Sequence, residues 1–110
     1  MAVLVCNGRV LGPLELATSI DARTRGLLGR DGIAGAMLLS PATMVHTIRM
    51  RFDIDVAFCD RDLVVLRTVT MRRHRLARPV RHTRAVLEAE AGAFARWGLT
   101  PGARLQVRDG

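Results

Sequence analysis

Residues 48–58 read IRMRFDIDVAF, an eleven-residue run in which apolar side chains recur at every second position. A period of two marks an extended chain with one face turned inward. Ile48, Met50, Phe52, Ile54, Val56 and Phe58 fall on one side, and Arg49, Arg51, Asp53 and Asp55 on the other. The run predicts a central strand whose apolar row is core and whose opposite row carries two positive charges followed by two negative ones. At about 3.3 Å per residue it would span roughly 36 Å, about twice the usual strand, so a bend or bulge is expected near Arg51 to Asp53.

Working outward, Asp60-Arg61-Asp62 is a tight polar turn, after which Leu63 to Met71 is expected to return antiparallel beside the central run. Asn7-Gly8 tolerates the two left-handed positions of a hairpin turn and lies between Val3–Cys6 and Arg9–Leu11. Gly12-Pro13 is expected to end that hairpin, with Leu14 to Ala17 as a separate strand. A helix is predicted from Ser19 to Leu28, capped by Thr18 or Ser19, with Asp21 in its first turn and Gly29 after its end. Its inward face would hold Ile20, Thr24, Leu27 and Leu28.

Ala36 to Leu39 and Ala85 to Glu90 read as short strands, and Ala93 to Trp97 as one or two helical turns closed by Gly98. Arg104 to Arg108 reads as a last strand with Leu105 and Val107 inward. The whole is one domain, residues 1–110, of mainly β class: a compact antiparallel sandwich or barrel-like fold with one or two short helices.

Composition narrows the function classes. Hydrophobic residues make up 49% and charged residues 25% of the chain, ordinary values for a soluble globular protein, and no apolar run approaches the roughly 18 residues of a membrane span. The first residues carry no basic region of the kind a signal peptide needs, which predicts a cytoplasmic protein. Cys6 and Cys59 fit no metal or redox spacing and are expected to be reduced, partly buried thiols. All 17 basic residues are arginine, and the net charge of +7 suits an anionic partner.

Six of those arginines, at 72, 73, 75, 78, 81 and 84, crowd one acid-free segment that reads as a surface loop. The chain has only three Phe and one Trp, so base stacking on aromatics is poorly supplied. The loop therefore predicts, at most, weak binding of nucleic acid without sequence preference.

Four pieces in fixed order carry a family resemblance: Arg25-Gly26-Leu27-Leu28-Gly29-Arg30 with Arg23, His46-Thr47 with Met50 to Phe58, Val86 to Gly92, and Gly98-Leu99-Thr100-Pro101-Gly102. From about Leu14 to Val107 the chain resembles the bacterial and archaeal domain of unknown function 192. The resemblance implies a compact β-sandwich-like fold and brings no established activity, cofactor or catalytic residue. Asp53 stands where that family often has proline, and Ala103 where it often has aspartate.

For chemistry, Asp55, Glu88 and His46 offer carboxylates and a proton carrier, which is the kit of a small hydrolase or isomerase. The competing view is that Arg49 and Arg51 pair with these carboxylates across strands, at about 0.2 to 1 kcal/mol per pair. The expected role is a non-catalytic binding module: His46, Arg49, Arg51 and Asp55, backed by Glu88, Arg23 and Arg25, form a polar face for an anionic small ligand or an acidic protein. No cofactor, metal or membrane is implied, a monomer is compatible with this reading, and the ligand is left open.

Overall fold

The computed structural model describes residues 1–109. Its first element is the hairpin of β1 (Ala2–Cys6) and β2 (Arg9–Ala17), turned at Asn7 and Gly8 with φ of 52° and 76°. β2 is one strand, not the two the sequence suggests. Its first half pairs antiparallel with β1, and from Leu14 onward it pairs parallel with β3 (Ala36–Leu39). Pro13, which has no N–H to give, sits where the strand changes partner. A parallel pair needs a crossover, and the segment from Thr18 to Gly35 supplies it, including α1 (Ile20–Arg25).

β4 (Ile54–Cys59), β5 (Val65–Met71), β6 (Ala85–Glu90), α2 (Ala93–Trp97) and β7 (Leu105–Asp109) complete a seven-stranded sheet of order β5-β4-β6-β3-β2-β1-β7. All pairs except β2–β3 are antiparallel. The two ends of that order meet, since Val64 bridges Arg104 and the Val65 amide donates to the Ala103 carbonyl at 2.8 Å. The fold is thus mainly β and barrel-like, with two short helices. No helix among the described residues is long and apolar enough to cross a membrane.

The middle strands are buried on both faces. Inside the barrel, Leu4, Leu38, Ala57, Leu87 and Leu105 pack around Phe94 of α2. Outside it, Val56, Phe58, Val86 and Met37 are covered by Leu27, Val45 and Met50 from the connecting segments. Every residue of β4 is buried, so the row opposite Val56 and Phe58 faces a second core and not solvent.

This corrects the reading of residues 48–58. Only its second half is strand. Ile48 is 43% exposed, Phe52 is half-buried, and Arg49 turns at φ 65°. The cause is Thr47, which is fully buried and organises a turn around itself. Its carbonyl accepts from the amides of Met50 (3.1 Å) and His74 (2.8 Å), and its amide donates to the Arg75 carbonyl at 2.8 Å. Its hydroxyl donates to the Arg72 carbonyl at 2.6 Å and accepts from the Arg75 amide at 2.9 Å. Five bonds to one residue outweigh an alternation of side-chain types, and the chain becomes extended only at Ile54.

Two smaller corrections concern the ends of elements. Ser19 caps α1, accepting from the Ala22 amide at 3.1 Å, but the helix stops at Arg25 because Gly26 takes φ 51°. The expected helical face is therefore not formed: Ile20 is exposed, and Leu27 reaches the core from beyond the helix. In β7 Leu105 is buried as expected, whereas Val107 faces out.

Candidate functional site

β6 is hydrogen-bonded on both sides, which places Glu88 opposite Met37 of β3 and Val56 of β4, deep in the outer core. Its residue is only 5% exposed; its carboxylate makes no hydrogen bond among the described residues, yet neither oxygen is sealed from solvent. A carboxylate this poorly hydrated is costly to ionise. The space beside it is held open by Gly26: a Cβ at that position would lie 3.3 Å from Glu88 Oε1. Between them is a recess of about 60 Å³, walled by Leu27, Leu39 and Met50 and rimmed by Arg23, Arg25 and His46.

Burial pushes the Glu88 carboxyl from 4.5 up to about 7. Taking the charged form out of water is the whole cause. The rim groups differ in their freedom. Arg23 donates to the Thr18 carbonyl, whereas Arg25 is exposed and has no ion-pair partner among the described residues. His46 Nδ1 accepts from the Ile48 amide at 3.3 Å, which points Nε2 to be the nitrogen free for other work. A wider recess of about 700 Å³ adjoins the first and shares Thr24, Arg25, Gly26 and Leu28 with it.

Of the seven residues expected to form the site, the fold brings together Arg23, Arg25, His46 and Glu88. The other three lie elsewhere. Arg49 sits on the Thr47 turn, its amide donating to His74 Nδ1 at 3.1 Å, with its side chain in solvent. Arg51 pairs with Asp31 at 3.3 Å, both largely exposed, which is worth under about 1 kcal/mol. Asp55 points to the opposite face of the sheet from Glu88. There its Oδ2 accepts from the amides of Gly92 and Phe94, each at 3.0 Å, and its Oδ1 accepts from the Thr70 hydroxyl at 2.6 Å.

The proposed catalytic trio of Asp55, Glu88 and His46 therefore does not converge, because neighbouring strands present these two carboxylates on opposite sides. Nor do Arg49 and Arg51 pair with Asp53, Asp55 or Glu88; Asp53 pairs with Arg73 at 3.5 Å. Among the described residues no group of three or more His, Cys, Asp or Glu side chains is placed to hold a metal. The sequence reading missed the structural parts of the site, Gly26 and Thr47. Both lie inside the quoted motifs, yet nothing in their spacing announces that one makes room for a carboxylate and the other pins a loop.

Comparison with known proteins adds the following. The family designated domain of unknown function 192, described as an uncharacterised ACR, matches residues 4–107. The chain matches no curated protein. A crystal structure from Sinorhizobium meliloti, described provisionally as a transcription regulator, is 27% identical with a TM-score of 0.80, over 96% of this chain and 91% of that one. A protein of unknown function from Novosphingobium aromaticivorans is 22% identical with a TM-score of 0.79, over 96% and 82% of the two chains; at that identity the likeness speaks for the fold alone.

Proposed function

The chain belongs to the domain of unknown function 192 family, and from that premise we propose that it is a binding module for a small polar anion, seated at the Glu88 recess. The observation that carries this is the nearly buried carboxyl of Glu88, without a side-chain partner among the described residues, on the recess that Arg23, Arg25 and His46 also line. About 60 Å³ admits a single functional group, far less than the roughly 300 to 1,000 Å³ of a site that engulfs a whole ligand. The ligand would present a hydroxyl or amine to Glu88 and lay its carboxylate or phosphate on the arginine rim, where guanidinium geometry favours such groups. Hydroxy acids and amino acids have this layout.

The test is a thermal-shift comparison of lactate, glycerate, L-serine and glycerol phosphate against the wild type, Arg25→Gln and Glu88→Gln. The expected result is stabilisation by at least one compound that is lost in Arg25→Gln and, in the wild type alone, changes as pH crosses 7. Stabilisation that persists in both variants places the ligand elsewhere and defeats the reading.

A second reading, weak nucleic-acid binding through residues 72–84, is favoured by the description of the S. meliloti relative and by six arginines that are all exposed on that loop. An enzyme reading survives only in reduced form, with Glu88 and His46 and without Asp55. A carboxyl near 7 suits proton transfer at neutral pH, and the same pH series on candidate ligands would reveal turnover.

A further inference from the structure

The arginine-rich loop is not a loose flap. Thr47 binds it at Arg72 and Arg75, the Ala77 amide donates to the Val45 carbonyl at 3.1 Å, and the Arg84 amide donates to the Cys59 carbonyl at 2.8 Å. Held at both ends, it arches over the outer face of β5, where Arg67, Val69 and Met71 share one side by the period of two. A cleft of about 410 Å³ opens between loop and strand.

Its lining has two characters. Phe58, Val69, Met71 and Val80 make an apolar floor, and Leu76 stands at the lip, 72% exposed. Arg67, Arg72, Arg75 and Arg78 surround that floor, and none of the four has an ion-pair partner among the described residues. Four guanidiniums without ion pairs, one of them (Arg75) donating only to the Arg73 and His74 carbonyls, around an apolar floor are complementary to an amphipathic anion.

We propose that this cleft, separate from the Glu88 recess, binds a small amphipathic anion: an apolar body on Val69, Leu76 and Val80, with one carboxylate or phosphate held by Arg72 and Arg78. The volume falls within the roughly 300 to 1,000 Å³ of small-molecule sites. Apolar burial supplies the affinity, and charge fixes the orientation. A nucleic-acid ligand is disfavoured here because Phe58, the cleft's one aromatic, is 2% exposed and offers no face for base stacking. A purely polar anion would leave the floor unused.

The test uses octanoate, with octanol as the uncharged control and inorganic phosphate as the headgroup control, titrated into the full chain at about 0.15 M salt, where surface charge alone is screened beyond about 8 Å. Amide chemical shifts at Val69, Leu76 and Ala77 should move, with octanoate binding at least tenfold more tightly than either control. Arg72→Gln with Arg78→Gln should weaken octanoate at least tenfold while leaving the spectrum folded, because Thr47 holds Arg72 through its main chain and not its guanidinium. Equal binding of octanol and octanoate reduces the cleft to a greasy surface and overturns the proposal. So does unchanged affinity in the double variant. Selective binding of a short oligonucleotide or of phosphatidylglycerol vesicles, with no response to octanoate, would assign the arginines to a polyanion or a membrane surface instead.

Discussion

Asp55 of β4 and Phe94 of α2 are joined by a 3.0 Å bond from the Phe94 amide to Asp55 Oδ2, which also accepts from Gly92. The carboxylate ties the barrel's plug to its wall. Asp55→Asn keeps the shape but replaces one charge-assisted acceptor oxygen with a donor, so we expect a loss of about 1 to 3 kcal/mol. Urea unfolding checks this, as a lowered midpoint with an unchanged slope. An unchanged midpoint would show that water serves α2 as well as Asp55 does.

Glu88 makes stability depend on pH in a stated direction. Its folded value of about 7 lies above the 4.5 of the unfolded chain, so between the two the folded state holds a proton that the unfolded state has lost. Stability from this group is therefore full below about 4.5, falls as pH rises toward 7, and stays low above it. The shift corresponds to about 3 kcal/mol, at about 1.4 kcal/mol per unit. Glu88→Gln should gain on the wild type between pH 4.5 and 8; parallel urea midpoints across that range would sink the idea.

Thr47→Val removes a hydroxyl that both donates to Arg72 and accepts from Arg75 inside the fold. The orphaned main-chain groups should cost about 1 to 3 kcal/mol. Amide exchange at Arg75 should accelerate more than exchange in β6, which would distinguish a released loop from general loosening.

Phe58 and Phe52 sit in the same sequence pattern but not in the same surroundings. Phe58→Ala should cost about 3 to 5 kcal/mol, since that side chain is 2% exposed. Phe52, half-buried outside the strand, should cost clearly less. Equal losses would restore the long strand that the alternation suggests.

For the exposed arginines of residues 72–84, binding to DNA or RNA should be weak and indifferent to sequence. With about four phosphates contacted, the log-log salt slope should be about −3.6, so a fourfold rise in salt weakens binding roughly a hundredfold. Selective binding that survives physiological salt would promote the nucleic-acid reading.

Where local chemistry decides structure, the sequence is a good guide. Asn7-Gly8 turns the hairpin, Gly98 closes α2, and the apolar runs at Ala36 and Ala85 mark strands to the residue. It fails where a distant partner decides. The alternation at residues 48–53 is real, but Thr47 is bonded to residues of the arginine loop far along the chain, and that contact has no local signature. Asp55 looks solvent-facing in the pattern because period two cannot tell water from a second core. Arg25 and Glu88 come to line one recess only after β3 has paired with β6 and Gly26 has left room, so half the candidate site is legible as residue types and none of it as geometry.

The pairing of β1 with β7 has a consequence for how the protein is made. Ala2 lies opposite Asp109, so the ladder that flanks β1 is supplied by β7, the last strand of this barrel to be translated. Until β7 has emerged from the ribosome, β1 has β2 on one edge and a bare row of main-chain donors and acceptors on the other. Closing so long a chain loop costs entropy before any contact rewards it, which puts barrel closure late and in the slow class of folding, about milliseconds to seconds. The nascent hairpin is the point at which a chaperone, or a second unfinished copy, has something to grip.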